Sequence, residues 1–532
     1  MFLRVWLVII VVSVLALMNN FITRASLNFS QKRQPSFAGT WYESDAKKLR
    51  TQLDSYLLKA KETMTEKPVE TGFGSNAKPA QPLLAIVVPH AGYMFSGQTA
   101  AYAYQQAKQQ KPKRVILLGP SHYIGFEGAA LPSESVFVTP LGDLPVDKEM
   151  IQELSDFPLF RQSTEIHKRE HSLEMQLPFI KETFADVKIV PIIVGTLSDE
   201  MEVQLMAQIL RRFMREDDLL IVSSDFTHYG PRYDYEPFQT DMKANIRKLD
   251  DEAFQHLSKR DLQGFMNFKH RTNDTICGFY PCSVLLALLP EESFGSLLHY
   301  GTSQDTLVED DRNSVSYLAL AFSSPKQEGW FNKEEVASGN QLSDADKSNL
   351  LKAARLTLES FVRNNRRPKD VELEFANSEL TKKNMGAFVT LYKINSRNPS
   401  QKELRGCVGY IWPVKPLNQV IVDNTIGSCS RDYRFHPVNE SELNEIEIDI
   451  NVLTAPKRVA SYNEIVVGRD GVVIYKDGKQ AVFLPSVATE FGWDLKEFLT
   501  QLSLKAGLPG DGWKQSARFD VFQSQSFAEK LE

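Results

Sequence analysis

Leu83-Leu84-Ala85-Ile86-Val87-Val88-Pro89-His90-Ala91-Gly92-Tyr93 is the stretch whose reading decides the fold. A short apolar run, rich in β-branched residues and ended by Pro and Gly, predicts a buried parallel strand feeding a loop. The pattern returns at Arg114 to Leu118, followed by Gly119-Pro120-Ser121-His122-Tyr123. It returns again at Leu219 to Ser223, followed by Ser224-Asp225-Phe226-Thr227-His228-Tyr229-Gly230. In open α/β sheets, ligands collect beyond the carboxyl ends of such strands. Three histidines delivered to one sheet edge point to a metal or catalytic centre.

Working outward, strand and helix signals alternate from Pro82 to Phe322: a helix near Gln98 to Gln109, a strand at Lys188 to Val194, a helix near Asp199 to Arg215. This alternation predicts an α/β domain with a largely parallel sheet. Upstream, Leu49, Leu53, Tyr56 and Leu57 give Glu43 to Lys61 the spacing of an amphipathic helix. Residues 324–341, rich in Ser, Pro, Gly, Lys and Glu, read as a linker. Beyond them Ser343 is a fitting N-cap, with Asp346 three residues on, for a helix of about 20 residues. The remainder reads as α+β. Ala387 to Ile394 and Ile446 to Val452 are strand-like, Lys476-Asp477-Gly478-Lys479 signals a hairpin, and Leu495 to Ala506 a last helix. The expected organisation is 1–26 as an N-terminal hydrophobic segment, 36–323 and 342–525 as domains, and 324–341 between them.

At 532 residues the chain is too long for one core, and 42% hydrophobic with 24% charged residues is ordinary folded composition. A net charge of −6 gives no hint of nucleic-acid binding. Four cysteines at irregular spacing form neither a zinc-ribbon pattern nor a disulfide framework. Val5 to Met18, following Arg4, is apolar but shorter than the roughly 20 residues of a full span. It reads as a single N-terminal helix anchoring the chain to a membrane. The alternative is a cleaved signal that leaves the protein secreted or periplasmic. The side of the membrane is open, because Arg24, Lys32 and Arg33 compete with Arg4.

His90 and His122 are the first pair of candidate ligands, since a metal-binding imidazole needs a rigid strand end to orient it. The competing reading is two turn histidines bonded to backbone. Cys277, at a turn before the apolar run Cys282 to Leu289, is the candidate third donor; a helix N-terminus nearby would lower its thiol pKa. It could equally be a small residue that packs. Asp225 and His228 offer an orienting carboxylate and a base, or two satisfied turn residues. His171 and Glu174, on a predicted helix, suit a supporting layer behind the ligands. In the second half Arg405, Gly406 and Cys407 stand out, Arg405 as a cation beside a thiol, against the plainer reading of a glycine-tolerant bend.

Residues 37–322 resemble the Memo-like family. The likeness is carried by Ala38 to Tyr42, Pro89 to Tyr93, Gly119 to Tyr123, Glu170 to Pro178, Ser223 to Gly230, Ile276 to Gly278 and Ser314 to Tyr317. Residues from 343 to about 520 look like an AMMECR-type domain, through Leu404 to Gly409, Asp432 to Phe435, Phe483 to Pro485 and Gly492-Trp493. The fusion resembles proteins B and A of the AmmeMemoRadiSam system, whose third member is a radical-SAM protein. The resemblance implies a fold similar to the LigB-like class III extradiol dioxygenases. It also implies an iron or copper ion on His90, His122 and Cys277, with Asp225 and His228 in the same pocket and His228 matching the dioxygenases' acid/base histidine. Cys277 stands where those enzymes have a carboxylate, so their activity does not simply carry over. The expectation is a metal-binding redox protein, dioxygenase-like as an enzyme, acting on a small-molecule or peptide substrate beside a radical-SAM partner. The alternative is a non-catalytic metal- or peptide-binding module.

Overall fold

In a computed structural model, residues 32–66, 70–71, 82–306, 310, 312–324, 330, 341–369, 373, 379–395, 398–514 and 516–529 are described. Segment 1–26 and most of the linker 324–341 lie outside them. No helix among the described residues is long and apolar enough to cross a membrane. The described chain falls into two compact units, 32–330 and 341–529.

The first unit is built on one sheet whose centre is Leu83–Val88, Asp218–Ser223, Arg114–Pro120 and Lys188–Val194, in that spatial order and all parallel. Every residue of the first three is buried, which is why their sequences show no polar alternation. The expected parallel sheet holds for this centre and fails at its flanks. Ser314–Ser323 runs antiparallel to Leu83–Val88, Phe294–Thr302 antiparallel to Ser314–Ser323, and Ala129–Leu131 antiparallel to Lys188–Val194. The two long flanking strands are joined by a short connection, which permits only an antiparallel return; a parallel one needs a crossover of a dozen or more residues.

The helix after the His90 turn is Tyr93–Ala107, starting earlier than the sequence suggests because Gly92 is its N-cap. Its buried residues combine small ones, Ser96, Gly97, Ala100, Ala101 and Ala103, with the rings of Tyr93, Tyr102 and Tyr104. A Cβ at Gly97 would lie 2.7 Å from the Tyr56 ring, so the close approach of helix Ala46–Glu66 requires glycine there. Below the sheet's functional edge, Arg114 (side chain 2% exposed) bonds both Asp218 oxygens at 2.9 and 2.6 Å and lies 3.6 Å from Asp147.

In the second unit, Asn398–Tyr410, Gly386–Asn395, Ile446–Leu453 and Ser524–Ala528 form an antiparallel sheet. Helices Asp344–Asn364 and Leu417–Ser430 share its core, where Leu350, Leu358, Val389, Val420, Ile421 and Ile448 meet. Ser343 and Asp346 make a reciprocal capping box at 3.1 Å each way. The predicted hairpin joins Gly471–Lys476 to Lys479–Phe483, with Asp477 and Gly478 both at positive φ, as a type I′ turn requires. Leu404 to Tyr410 is strand rather than bend.

Candidate metal centre

The three central parallel strands end side by side, so Val88, Pro120 and Ser223 launch the turns bearing His90, His122, and Asp225 with His228. Cys277 arrives from the loop before helix Phe279–Leu288. The donor atoms of His90, His122 and Cys277 all lie within 4.8 Å of one another.

Hydrogen counting fixes which imidazole nitrogen faces the thiol. Ser223 Oγ donates its one hydrogen to the Ser172 carbonyl at 2.6 Å and accepts from Gln176 at 2.9 Å. The remaining contact, His90 Nδ1 at 2.8 Å, must therefore be an N–H donating to Ser223. That leaves the His90 Nε2 lone pair free, 3.2 Å from Cys277 Sγ. Glu170 does the same for His122: its carboxylate accepts from His122 Nδ1 at 2.8 Å and from the His122 backbone N–H at 2.7 Å. Burial, followed by the neighbouring imidazoles, holds His90 well below the usual histidine range, so it stays neutral. Burial alone would raise Glu170, but the bonds from His122 outweigh it and keep the carboxyl low. For a metal held on His90, His122 and Cys277, Glu170→Gln is expected to weaken affinity about 10–100-fold without unfolding the unit, as for other groups that orient a ligand. Competition titration against a chelator of known affinity checks this.

His228 is turned by two carbonyls, Phe226 O at 2.8 Å and Thr275 O at 3.1 Å, which can only accept. Its Nδ1 thus carries the hydrogen and Nε2 is left as a base; burial lowers its pKa to about 4. Asp225 accepts from the His90 backbone N–H at 2.7 Å, and burial raises it to about 6. These groups, with His171 and Trp41, line a cavity of about 710 Å³.

Several expectations need correction. The Cys277 thiol is not lowered by its helix: burial pushes it well above the ordinary value, and the Asp225 carboxylate adds to this. Glu174 does not back the ligands. It accepts from Ser36 N, Phe37 N and Tyr42 Oη at 2.9, 2.7 and 3.0 Å and pairs with Arg33 at 2.8 Å, pinning the segment that carries Trp41. His171 stays at the pocket, its ring 4.1 Å from that of His122. Glu170, Ser223 and Gln176 are the residues that sequence reasoning missed. Each adjoins or lies inside a stretch already singled out, yet nothing in the chain shows which of their atoms meet an imidazole.

In the second unit, Arg405 does not serve Cys407; it forms a two-pronged pair with Glu442 at 2.8 and 3.0 Å. Along a strand neighbouring side chains alternate faces, and only one residue separates Arg405 from Cys407, but Gly406 packs its backbone against Ser428 and the bulge beside Leu391 breaks the register there. Cys407 Sγ accepts from Thr390 at 3.2 Å, and its N–H donates to Asp432 at 2.9 Å. Burial raises this thiol, against the Thr390 bond and the Arg434 charge.

With the geometry in place, comparison with known proteins adds the lineage. Residues 33–321, more than half of the chain, match the family profile described as Memo-like protein. This chain belongs to the Memo-like family. Protein MEMO1 of Xenopus laevis is 34% identical over 310 residues, covering 55% of this chain and 98% of that protein. Protein MEMO1 of Homo sapiens is 33% identical over 305 residues, covering 54% and 96%. This Memo-like chain also carries an AMMECR1 domain at residues 351–527. An uncharacterised protein of Pyrococcus horikoshii, known from its crystal structure, is 31% identical, covering 36% of this chain and 93% of its own, with a TM-score of 0.32.

Proposed function

We propose that this chain is a metal-binding redox protein in which His90 Nε2, His122 Nε2 and Cys277 Sγ hold iron or copper. One observation carries the reading: three donors within 4.8 Å, with both imidazole Nδ1 atoms already committed to Ser223 and Glu170. Two imidazoles and a thiol make a borderline-to-soft set that suits these metals. Bound there, the ion would supply one-electron chemistry toward oxygen or a small oxidant. The chain's own residues do the rest. His228 Nε2 accepts a proton from a substrate in the cavity, Asp225 holds the His90 loop, and Trp41 and His171 shield the site's open side. The arrangement follows the LigB-like dioxygenase plan with a thiol in place of the carboxylate, so ring cleavage is not part of the proposal. The same reading includes a radical-SAM partner for the two-domain fusion and membrane association through residues 1–26.

Metal uptake would also be proton-linked. The raised Cys277 thiol must lose its proton to ligate, while His90 is already neutral. Affinity is therefore expected to rise with pH, by up to about tenfold per unit across the neutral range for one released proton. Titration at a series of pH values checks it; a flat profile would remove Cys277 from the ligand set.

The direct test is elemental analysis of protein purified without tags or chelators, beside Cys277→Ala. Near-stoichiometric iron or copper that drops in the variant supports the proposal. Neither metal binding, even after anaerobic reconstitution with Fe(II) and Cu(I), sinks it, and the cavity would then be studied as a docking site for a small molecule or peptide.

A further inference from the structure

Behind the metal centre, one hydroxyl serves two carboxyl groups. Thr227 Oγ1 lies 2.7 Å from Asp250 Oδ1 and 3.0 Å from Asp274 Oδ2, and both aspartates are buried, at 1% and 0% exposure. A hydroxyl has one hydrogen and an ionised carboxylate has none. If both acids were ionised, one oxygen pair would face each other without a hydrogen between them. Like charges converging in a buried site also keep one acid protonated.

The surroundings say which. Burial raises Asp274 too, but it is the better supported of the two as an anion: its Oδ1 accepts from Ile276 N at 3.0 Å, and the Lys269 ammonium sits beside it, bonded to its carbonyl. Asp250 has neutral donors, Tyr300 Oη at 2.9 Å and Thr227 N at 3.3 Å. The nearest cation on its own helix, Arg247, lies over the Tyr300 ring and bonds Asp251 at 2.7 Å instead. Tyr235 also faces the pair and donates to Thr272 O at 3.1 Å.

We infer that Asp250 is held as a carboxylic acid donating to Thr227, which in turn donates to the Asp274 carboxylate. This proton-bearing chain fastens the turn that carries Asp225 and His228 to the loop that carries Cys277. It makes Asp250 a positioning residue whose hold depends on pH. Burial, against the bonds from Ser316 and Thr227, raises its pKa to about 7. Above that, the Thr227 hydroxyl meets two anions and the fastening weakens. The proton chain stands on its own geometry; only what it positions rests on the metal reading.

The test uses the metal-free full chain, so it is independent of whether metal binds. Infrared difference spectra between wild type and Asp250→Asn isolate the Asp250 carboxyl from Asp225 and Asp449, which burial also raises to about 6. A protonated-carboxyl band that belongs to Asp250 and titrates near 7 is expected. The sign of the linked stability follows: the folded state keeps a proton that the unfolded chain releases near 3.9. The folding constant of wild type, relative to Asp250→Asn, should fall up to about tenfold per pH unit between about 4 and 7, then level. Thr227→Ser should keep this response. A band that survives in Asp250→Asn but vanishes in Asp274→Asn overturns the assignment, as does a wild type with no such band. Should Asp250→Asn not fold, Asp250→Glu takes its place: a band that belongs to Asp250 shifts in that variant while those of Asp225 and Asp449 stay, and no shift overturns the assignment.

Discussion

Glu174→Ala is expected to destabilise the first unit by about 3–5 kcal/mol, the usual result of breaking a buried pair by removing one partner. Glu174 has no exposed side-chain surface, and Arg33 is only 3% exposed. Without the carboxylate, Arg33 Nη1 is left buried beside an empty site. Its other nitrogens keep the His167 and Glu170 carbonyls at 2.8 and 3.0 Å. Two backbone N–H groups and the Tyr42 hydroxyl lose their acceptor at the same time. Trp41 lies one residue from Tyr42, so the loss should also loosen one wall of the cavity. Urea denaturation measures the first effect and near-ultraviolet circular dichroism the second. A cost under about 1 kcal/mol would put Glu174 among ordinary surface ion pairs and remove it as an anchor.

Arg114→Ala is expected to cost about as much, roughly 3–5 kcal/mol, for the same physical reason. The guanidinium closes a fork on Asp218, reaches Asp147 and bonds the Phe213 carbonyl at 2.6 Å. Burial pushes Asp218 up in spite of that partner, so its carboxyl would take up a proton once the arginine is gone. The double variant Arg114→Met with Asp218→Asn tests whether charge is the cause. It should recover a large part of the loss, since the Asp218 charge goes with the guanidinium and only Asp147, 3.6 Å away, is left without its cation. Equal instability in both variants would place the cost in packing instead.

How much of this could be read from the chain depends on the kind of information each feature needs. Leu83 to Val88 and Leu219 to Ser223 were legible as central strands because burial on both faces leaves an apolar run with no polar alternation, Ser223 at the end of the second excepted. His90, His122, Asp225 and His228 were legible because strand-to-loop punctuation sits next to them. Cys277 was legible as a candidate donor but not separable from a packing residue without the family resemblance, since a cysteine before an apolar helix looks the same whether it packs or ligates. Glu170 and Glu174 show the limit most clearly. Both belong to one short segment, and the helical turn between them sends one to His122 and the other to Arg33. Helix Leu417–Ser430 escaped notice for a different reason: it is buried nearly all round, and the polar Asp423, Asn424, Thr425 and Ser428 inside it break up any apolar stripe. The antiparallel flanks of the first sheet were hidden in the same way, because a fully buried strand carries no mark of its direction.

The parallel centre of that sheet also sets the order in which the protein can acquire its chemistry. Val88 pairs with Ser223, and His90 meets a cysteine 187 residues further along the chain. Contacts of such separation close late, after the loop entropy of the intervening chain has been overcome. As synthesis runs from the N-terminus, His90 and His122 emerge long before Cys277. The strand that completes the centre beside Leu83–Val88, Ser314–Ser323, is later still. No nascent chain shorter than 277 residues contains all three donors. The constellation is assembled by contacts that form late, whatever occupies it.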